Sequence, residues 1–284
     1  MKIGILYIAI GRYDFFWKDF YESSERYFMQ GYPCIREYFV FTDATLLFGE
    51  DKNEHIHHIC QSDMGWPDNT MERFHLFLSI REQLENLDYL FFFNANMKFV
   101  APVGMDILPT EKDNGLTGVL HSWYFDSPRW NYPYERRSES MAYIPYRKGK
   151  HYYQGSLLGG EAEPFLHMCE VCRRWINKDK MNNIIPVWHD ESIVNRYFID
   201  HPPKVLDCRY NYCEIRNLPI EKLIVWRDKT KCFSFDEMKR PDYHLIHTSV
   251  KKRYWESVVI NFLNLLFRVY RKLGFVLRFT SDKL

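Results

Sequence analysis

A chain of 284 residues can bury one large core or two modest ones, and one main domain is the default. With 46% hydrophobic and 26% charged residues it has the composition of an ordinary globular protein, and a net charge of +1 argues against a general nucleic-acid binder. Nowhere does an uncharged apolar run approach the ~18 residues that a spanning helix needs.

Aromatic residues, at 18%, are abundant enough to serve flat, stackable ligands as well as a core. Seven cysteines without regular spacing, in a chain that lacks a secretion signal, point to a reducing, cytoplasmic compartment.

Ile3 to Ile10 is a β-rich apolar run, broken by Gly11-Arg12-Tyr13-Asp14. Phe16, Phe20 and Tyr27 then recur at helical spacing up to a stop at Gly31. Glu37 to Thr42 reads as a second strand. Asp68 or Asn69 can cap a helix carrying Phe74, Phe77, Ile80, Leu84 and Leu87, and Tyr89 to Phe93 is a third strand. Strands separated by helices predict an α/β fold with a parallel sheet and crossover connections. Ligands in such sheets lie beyond the carboxyl ends of the strands, which places Ile10 to Tyr13, Thr42-Asp43 and Asn94-Ala95-Asn96 on one rim.

The second half is less regular. In Tyr152-Tyr153-Gln154-Gly155-Ser156-Leu157-Leu158-Gly159-Gly160, the glycines suggest backbone brought close to a ligand or to another strand. A helix follows near Pro164 to Asn177. Trp188-His189-Asp190-Glu191-Ser192 opens another, whose Ile193, Val194, Tyr197 and Phe198 point inward and which stops before Pro202-Pro203. From Ser257 to Ser281 no acidic residue occurs, and Arg268, Arg271, Lys272 and Arg278 sit among apolar residues. That composition fits a helix in an anionic membrane interface, on the inner face of the membrane, and fits equally well a C-terminal helix docked on the core.

Of the candidate sites, "WHDES" is the most informative. A carboxylate at a helix start is stabilised by the macrodipole, which should keep its pKa low, and it could serve as a nucleophile or as the partner of a cation. A plain helix cap explains the same residues. Cys169 and Cys172 have the spacing of a zinc pair but fall inside a helical pattern without a second pair. His55, His57 and His58, and the basic residues Arg136-Arg137, Lys148-Lys150, Lys229 and Lys231, read as solvated groups or phosphate contacts. Neither a Walker loop nor a GxGxxG motif is present.

Taken in order, "AIGRY", "WPDNTMERF", "LDYLFFFNANMKFV", "VGMDILP", "YERRSESMAYIP", "YYQGSLLGG" and "VWHDES" resemble glycosyltransferase family 6. Its members are retaining α-1,3-galactosyl- and N-acetylgalactosaminyltransferases, among them the histo-blood-group A and B enzymes. The match is best with the bacterial branch. The resemblance implies a GT-A fold, with a catalytic domain over residues 1–256 and the basic, apolar segment 257–284 behind it.

It further implies that Ile8, Ala9, Ile10 and Tyr13 contact the uridine of a UDP-sugar, with Arg73, Asp190 and Gly155 near the donor sugar. Gln154 and Ser156 match the positions that choose between galactose and N-acetylgalactosamine, and the small Ser156 leaves room for an acetamido group. His121 and Trp188 match acceptor contacts. Glu191 aligns with the family's essential glutamate, a nucleophile or an electrostatic partner to an oxocarbenium-like cation. The implied substrates are UDP-GalNAc or UDP-Gal and a β-galactoside acceptor, with fucosylation at O2 left open.

Two departures stand out. Where the family's metal-dependent enzymes carry Asp-x-Asp, this chain has Asn94-Ala95-Asn96, and neutral amides are poor ligands for a hard dication. The expectation is therefore transfer without a metal or other cofactor, with Asn94 and Asn96 bonding the sugar or diphosphate and Lys231 stabilising the leaving UDP. The missing acidic pair also motivates an alternative, an inactive glycan- or nucleotide-binding protein on the same fold. The second departure is Cys213, standing where an acidic acceptor contact is expected, with Glu214 one residue later.

Overall fold

The computed structural model of the chain describes residues 1–233. The segment 257–284 and the end of the expected catalytic domain lie outside the described residues.

Strands β1 (Lys2–Ala9), β2 (Ile35–Thr42), β3 (Ile56–Cys60) and β4 (Tyr89–Phe93) form as the apolar runs require, with α1 (Trp17–Tyr27) between the first two. The apolar segment before β4 is not one helix. It breaks into α2 (Asp68–Met71), α3 (Arg73–Ser79) and α4 (Arg81–Leu84), with joints at Glu72 and Ile80 whose ψ angles of 3° and 25° leave helical geometry. Tertiary contacts override the local period here: Arg73 is buried and its guanidinium is spent on groups across the sheet. Leu87 falls beyond α4 and packs over Gly4 of β1, where a Cβ would come within 2.7 Å of it.

The second half adds β5 (Met97–Phe99), β6 (Leu116–Leu120), β7 (Tyr153–Glu161), α5 (Ala162–Met181), α6 (His189–Asp200), β8 (Lys204–Leu206), β9 (Tyr212–Cys213) and β10 (Ile224–Trp226). The main sheet runs β3-β2-β1-β4-β7-β6-β8, and a smaller one runs β5-β10-β9. In the main sheet the expected parallel pairing holds for β1 to β4 and again between β6 and β8, and β7 alone breaks it. β7 lies antiparallel to both β4 and β6, pairing Phe93 with Leu157 and Phe91 with Gly159. This reversal has a functional result, because it sets the amino end of β7, with Gln154 to Ser156, beside the carboxyl ends of β1 and β4.

Gly159 and Gly160 of β7 are packed closely against protein. A Cβ on Gly159 would lie 2.0 Å from the Phe91 ring, and Gly160 has φ +155° against the Gly115 carbonyl. Both faces of the sheet are covered. Ile3, Ile5, Tyr7 and Ala9 pack with Trp17, Phe20 and Phe28 on one side; Leu6, Phe39 and Phe92 pack with Phe74, Phe77, Phe165 and Ile193 on the other. Cys169 and Cys172 are fully buried in α5 as part of this second core.

The histidines expected to be merely solvated are paired. His55 and His57 share Glu37 at 3.2 and 2.9 Å, and His58 meets Glu50 at 2.9 Å. Cross-strand register, which a linear pattern does not reveal, brings them there. Arg137 is likewise tied to Glu135 and to the Ile185 carbonyl, and Arg136 lies over the rings of Tyr134 and Tyr146. No helix among the described residues is long and apolar enough to cross a membrane.

Candidate functional site

A cavity of about 250 Å³ opens beside the start of α6. It falls just below the ~300–1,000 Å³ range of small-molecule pockets. Glu191 and Gln154 line it together with His121, Trp188, Tyr152 and Cys213. The fold thus gathers the expected catalytic, donor-selecting and acceptor-contacting side chains around one space.

Glu191 is fixed by two donors. Its Oε1 accepts from the Tyr152 hydroxyl at 2.6 Å and its Oε2 from the Gly155 N–H at 2.8 Å. His189, immediately before the pair, adopts φ +53°, a conformation uncommon for a non-glycine residue. The low carboxylate pKa expected from the helix dipole does not hold. Burial pushes Glu191 up to about 7, against the opposing pull of those hydrogen bonds, and pushes its neighbour Asp190 up to about 7 against the field of Arg73. Desolvation outweighs whatever the helix start contributes here.

Behind this pair, Arg73 Nη1 donates to the Gly155 carbonyl at 2.6 Å and lies 3.1 Å from Asp190 Oδ2. The guanidinium carbon sits 4.4 Å from the centre of the Phe92 ring. Asp190 Oδ2 and Arg73 Nε, both buried, have no hydrogen-bond partner among the described residues. Across the cavity, His121 Nδ1 accepts from the Trp123 N–H at 3.2 Å, and burial lowers the ring's pKa to about 3. The imidazole is therefore neutral, with its proton on Nε2 as a donor.

Other expected residues lie outside this lining, at the carboxyl ends of β1 and β4. Ile8, Ala9 and Ile10 end β1, where the Thr42 hydroxyl holds the Ala9 carbonyl at 2.7 Å and Asp43 holds the Gly11 N–H at 2.7 Å. Tyr13 receives a hydrogen bond from Lys229 Nζ at 3.0 Å. Asn94 follows β4 and its N–H donates to the Ser156 carbonyl at 2.8 Å.

Asn96 does not face outward as a ligand contact would. It is fully buried, its Oδ1 accepting from Asn94 Nδ2 at 3.0 Å and its Nδ2 donating to the Arg227 carbonyl at 2.6 Å. The Tyr7 hydroxyl holds the Ala95 carbonyl beneath the same turn at 2.7 Å. Lys231 stands on the 228–231 turn paired with Glu214 at 2.8 Å, and Glu214 also accepts from the Asp228 N–H. Glu214, one residue out of register for an acceptor contact, is thus committed to holding that turn.

A divalent cation does not fit this donor set. The two amides bond each other, and one is spent on a backbone carbonyl.

Several site residues are given no role by the linear motifs. Tyr152 shares a strand face with Gln154 and Ser156, so period-two alternation was the available signal. Arg227 and Asn211 carry no local signal, because their partners are distant in the chain.

The sequence model of glycosyltransferase family 6 matches residues 1–230. The O-antigen biosynthesis glycosyltransferase WbnI of Escherichia coli is 32% identical over 240 residues, which cover 84% of this chain and all of that protein. Histo-blood group ABO system transferase 2 of Rattus norvegicus is 35% identical over 73% of this chain and 62% of its own length. Globoside α-1,3-N-acetylgalactosaminyltransferase 1 of Gallus gallus is 32% identical over 79% of this chain and 66% of its own length. Against these two animal relatives the chain spans just under two thirds of the full protein. With the family's sequence model running through the sheet, the cavity and the α6 carboxylates alike, the chain belongs to glycosyltransferase family 6.

Proposed function

We propose that this family 6 glycosyltransferase moves N-acetylgalactosamine from UDP-GalNAc, with retention and in α-1,3 linkage, onto a β-galactoside acceptor, and that it needs no metal. The observation that carries the reading is Glu191, whose two oxygens are held by Tyr152 and Gly155 on the wall shared by Gln154 and the acceptor-side residues His121 and Trp188.

Retention requires that the bond from the anomeric carbon to UDP break and a bond to the acceptor oxygen form on the same face. As a nucleophile, Glu191 would displace UDP and then be displaced by the acceptor hydroxyl; as a counter-ion, it would stabilise the cation while the acceptor enters beside the departing UDP. Both routes need the carboxylate fixed and ionised. The neutral His121 supplies an Nε2–H donor for an acceptor hydroxyl, and the half-exposed Trp188 a face for the apolar side of a sugar ring. Ser156 leaves room for the acetamido group. With Asn96 engaged in the protein, the charge of the leaving diphosphate falls to Lys229 and Lys231 on the 228–231 turn, not to a dication.

The test is to incubate the protein with UDP-GalNAc or UDP-Gal and with lactose or 2′-fucosyllactose, in excess chelator and again with manganese. The product's anomeric configuration is read by NMR. Equal turnover in chelator and an α-linked N-acetylgalactosamine product are expected. Strict manganese dependence overturns the metal-free reading, faster turnover of UDP-Gal overturns the donor assignment, and no transfer or UDP release with either donor overturns the enzyme reading.

A further inference from the structure

Gln154 and Ser156 are two residues apart in β7 and share a strand face. Against them lies Asn211, at the end of the 3-10 turn Cys208–Asn211, with no exposed surface. Its Nδ2 donates to Gln154 Oε1, and its Oδ1 accepts from Ser156 Oγ at 3.1 Å. Its own main-chain carbonyl accepts from the Ser122 hydroxyl, so the amide is anchored on a third side.

A glutamine amide on a cavity wall can turn either its oxygen or its NH2 inward, and a serine hydroxyl can rotate. Asn211 removes both freedoms together. Because Gln154 Oε1 is taken, the group this side chain offers to the cavity is its NH2. Because Ser156 Oγ is held, the small residue keeps its hydroxyl on Asn211 and turns no polar atom toward the Gln154 amide.

We infer that Asn211 is a positioning residue for donor selection. It couples Gln154 and Ser156 so that they present one donor group to the C2 substituent of the transferred sugar. The acetamido group, with a carbonyl to accept, suits that arrangement better than a hydroxyl. This inference rests on the reading of the site as a UDP-sugar transferase.

The experiment measures kcat/KM for UDP-GalNAc and for UDP-Gal on the same preparation of wild type, Asn211→Ala, Asn211→Asp and Gln154→Glu. The ratio of the two donors is the readout, so loss of folded enzyme cancels. Asn211→Ala frees both side chains and should shift the ratio toward UDP-Gal by about fivefold or more, the worth of one hydrogen bond. In Asn211→Asp the carboxylate can only accept; Gln154 must turn its NH2 to it and offer oxygen to the cavity, so the ratio should move in the same direction as in Gln154→Glu. The KM for the acceptor should stay within about twofold, since Asn211 does not line the acceptor side. A donor ratio within about twofold of wild type in both Asn211 variants, even with activity lowered equally for the two donors, marks the residue as structural only and overturns the inference. An inactive wild type overturns the underlying transferase reading, and the inference with it.

Discussion

Replacing Glu191 by glutamine removes one negative charge with almost no change in shape. In the wild type both carboxylate oxygens accept, from Tyr152 at 2.6 Å and from Gly155 at 2.8 Å. Glutamine can keep its oxygen on the Gly155 N–H and turn its NH2 to Tyr152, whose hydroxyl then becomes the acceptor. The cost to folding is one rearranged hydrogen bond, about 1 kcal/mol. The cost to catalysis is larger. A unit charge ~4 Å from a cationic anomeric carbon, at an effective dielectric of ~20, is worth ~4 kcal/mol. At ~1.4 kcal/mol per factor of ten, that is about a thousandfold in kcat. Initial rates of UDP release, with thermal denaturation of the same samples, separate the two effects. The expected result is a near-wild-type melting curve and a kcat lowered about a thousandfold. A variant with an unchanged melting curve that keeps more than about a tenth of wild-type kcat would refute the assignment of Glu191 as the charge beneath the reacting carbon.

Turnover should rise with pH through about 7, because burial lifts Asp190 and Glu191 to about 7 and transfer needs Glu191 ionised. Stability runs the opposite way. An acid whose folded pKa lies above its unfolded value contributes stability below the unfolded pKa and loses it as pH rises through the folded one, so the pair's share falls between the ordinary carboxylate range and about pH 7; melting curves of wild type and Glu191→Gln across that window check the sign. Asn96→Asp would set a carboxylate oxygen against the Arg227 carbonyl, 2.6 Å from the present nitrogen, and should destabilise the chain by ~1–3 kcal/mol in denaturant titration. His121→Ala should raise the acceptor KM while leaving hydrolysis of the UDP-sugar in the absence of acceptor near wild type. Gly159→Ala would drive a methyl into the Phe91 ring and should cost ~3 kcal/mol or prevent soluble expression.

How much was legible in the chain follows from how local each signal is. β1 and β4 are continuous apolar runs, and such runs announce themselves. The reversal at β7 does not, because a buried antiparallel strand carries the same residues as a parallel one. The segment from Asp68 to Leu87 has a helical period throughout, yet Arg73 is drawn inward and the helix breaks around it. Glu191, Gln154, His121 and Trp188, which the motif resemblance singled out, line one cavity. The resemblance read Asn96 as a ligand contact, and the residue that consumes its amide, Arg227, lies 131 positions away. Asn211 is hidden for the same reason, in an irregular stretch with no period to betray which way a side chain points.

The raised pKa of Glu191 and its proposed role have one physical cause. Removing the carboxylate from water penalises its charge in the resting site, which is why it titrates near neutrality rather than in the usual carboxylate range. The same removal lowers the local dielectric, so the charge acts more strongly on any cation that develops beside it. Tyr152 and Gly155 prevent the carboxylate from turning away to find solvent, and Arg73 behind Asp190 keeps the second acid from repelling the first into permanent protonation. A site arranged in this way is held at a cost in stability, and the helix dipole at the start of α6 offsets only part of it. In the proposed transfer, an electron-deficient carbon above Glu191 would offset the remainder.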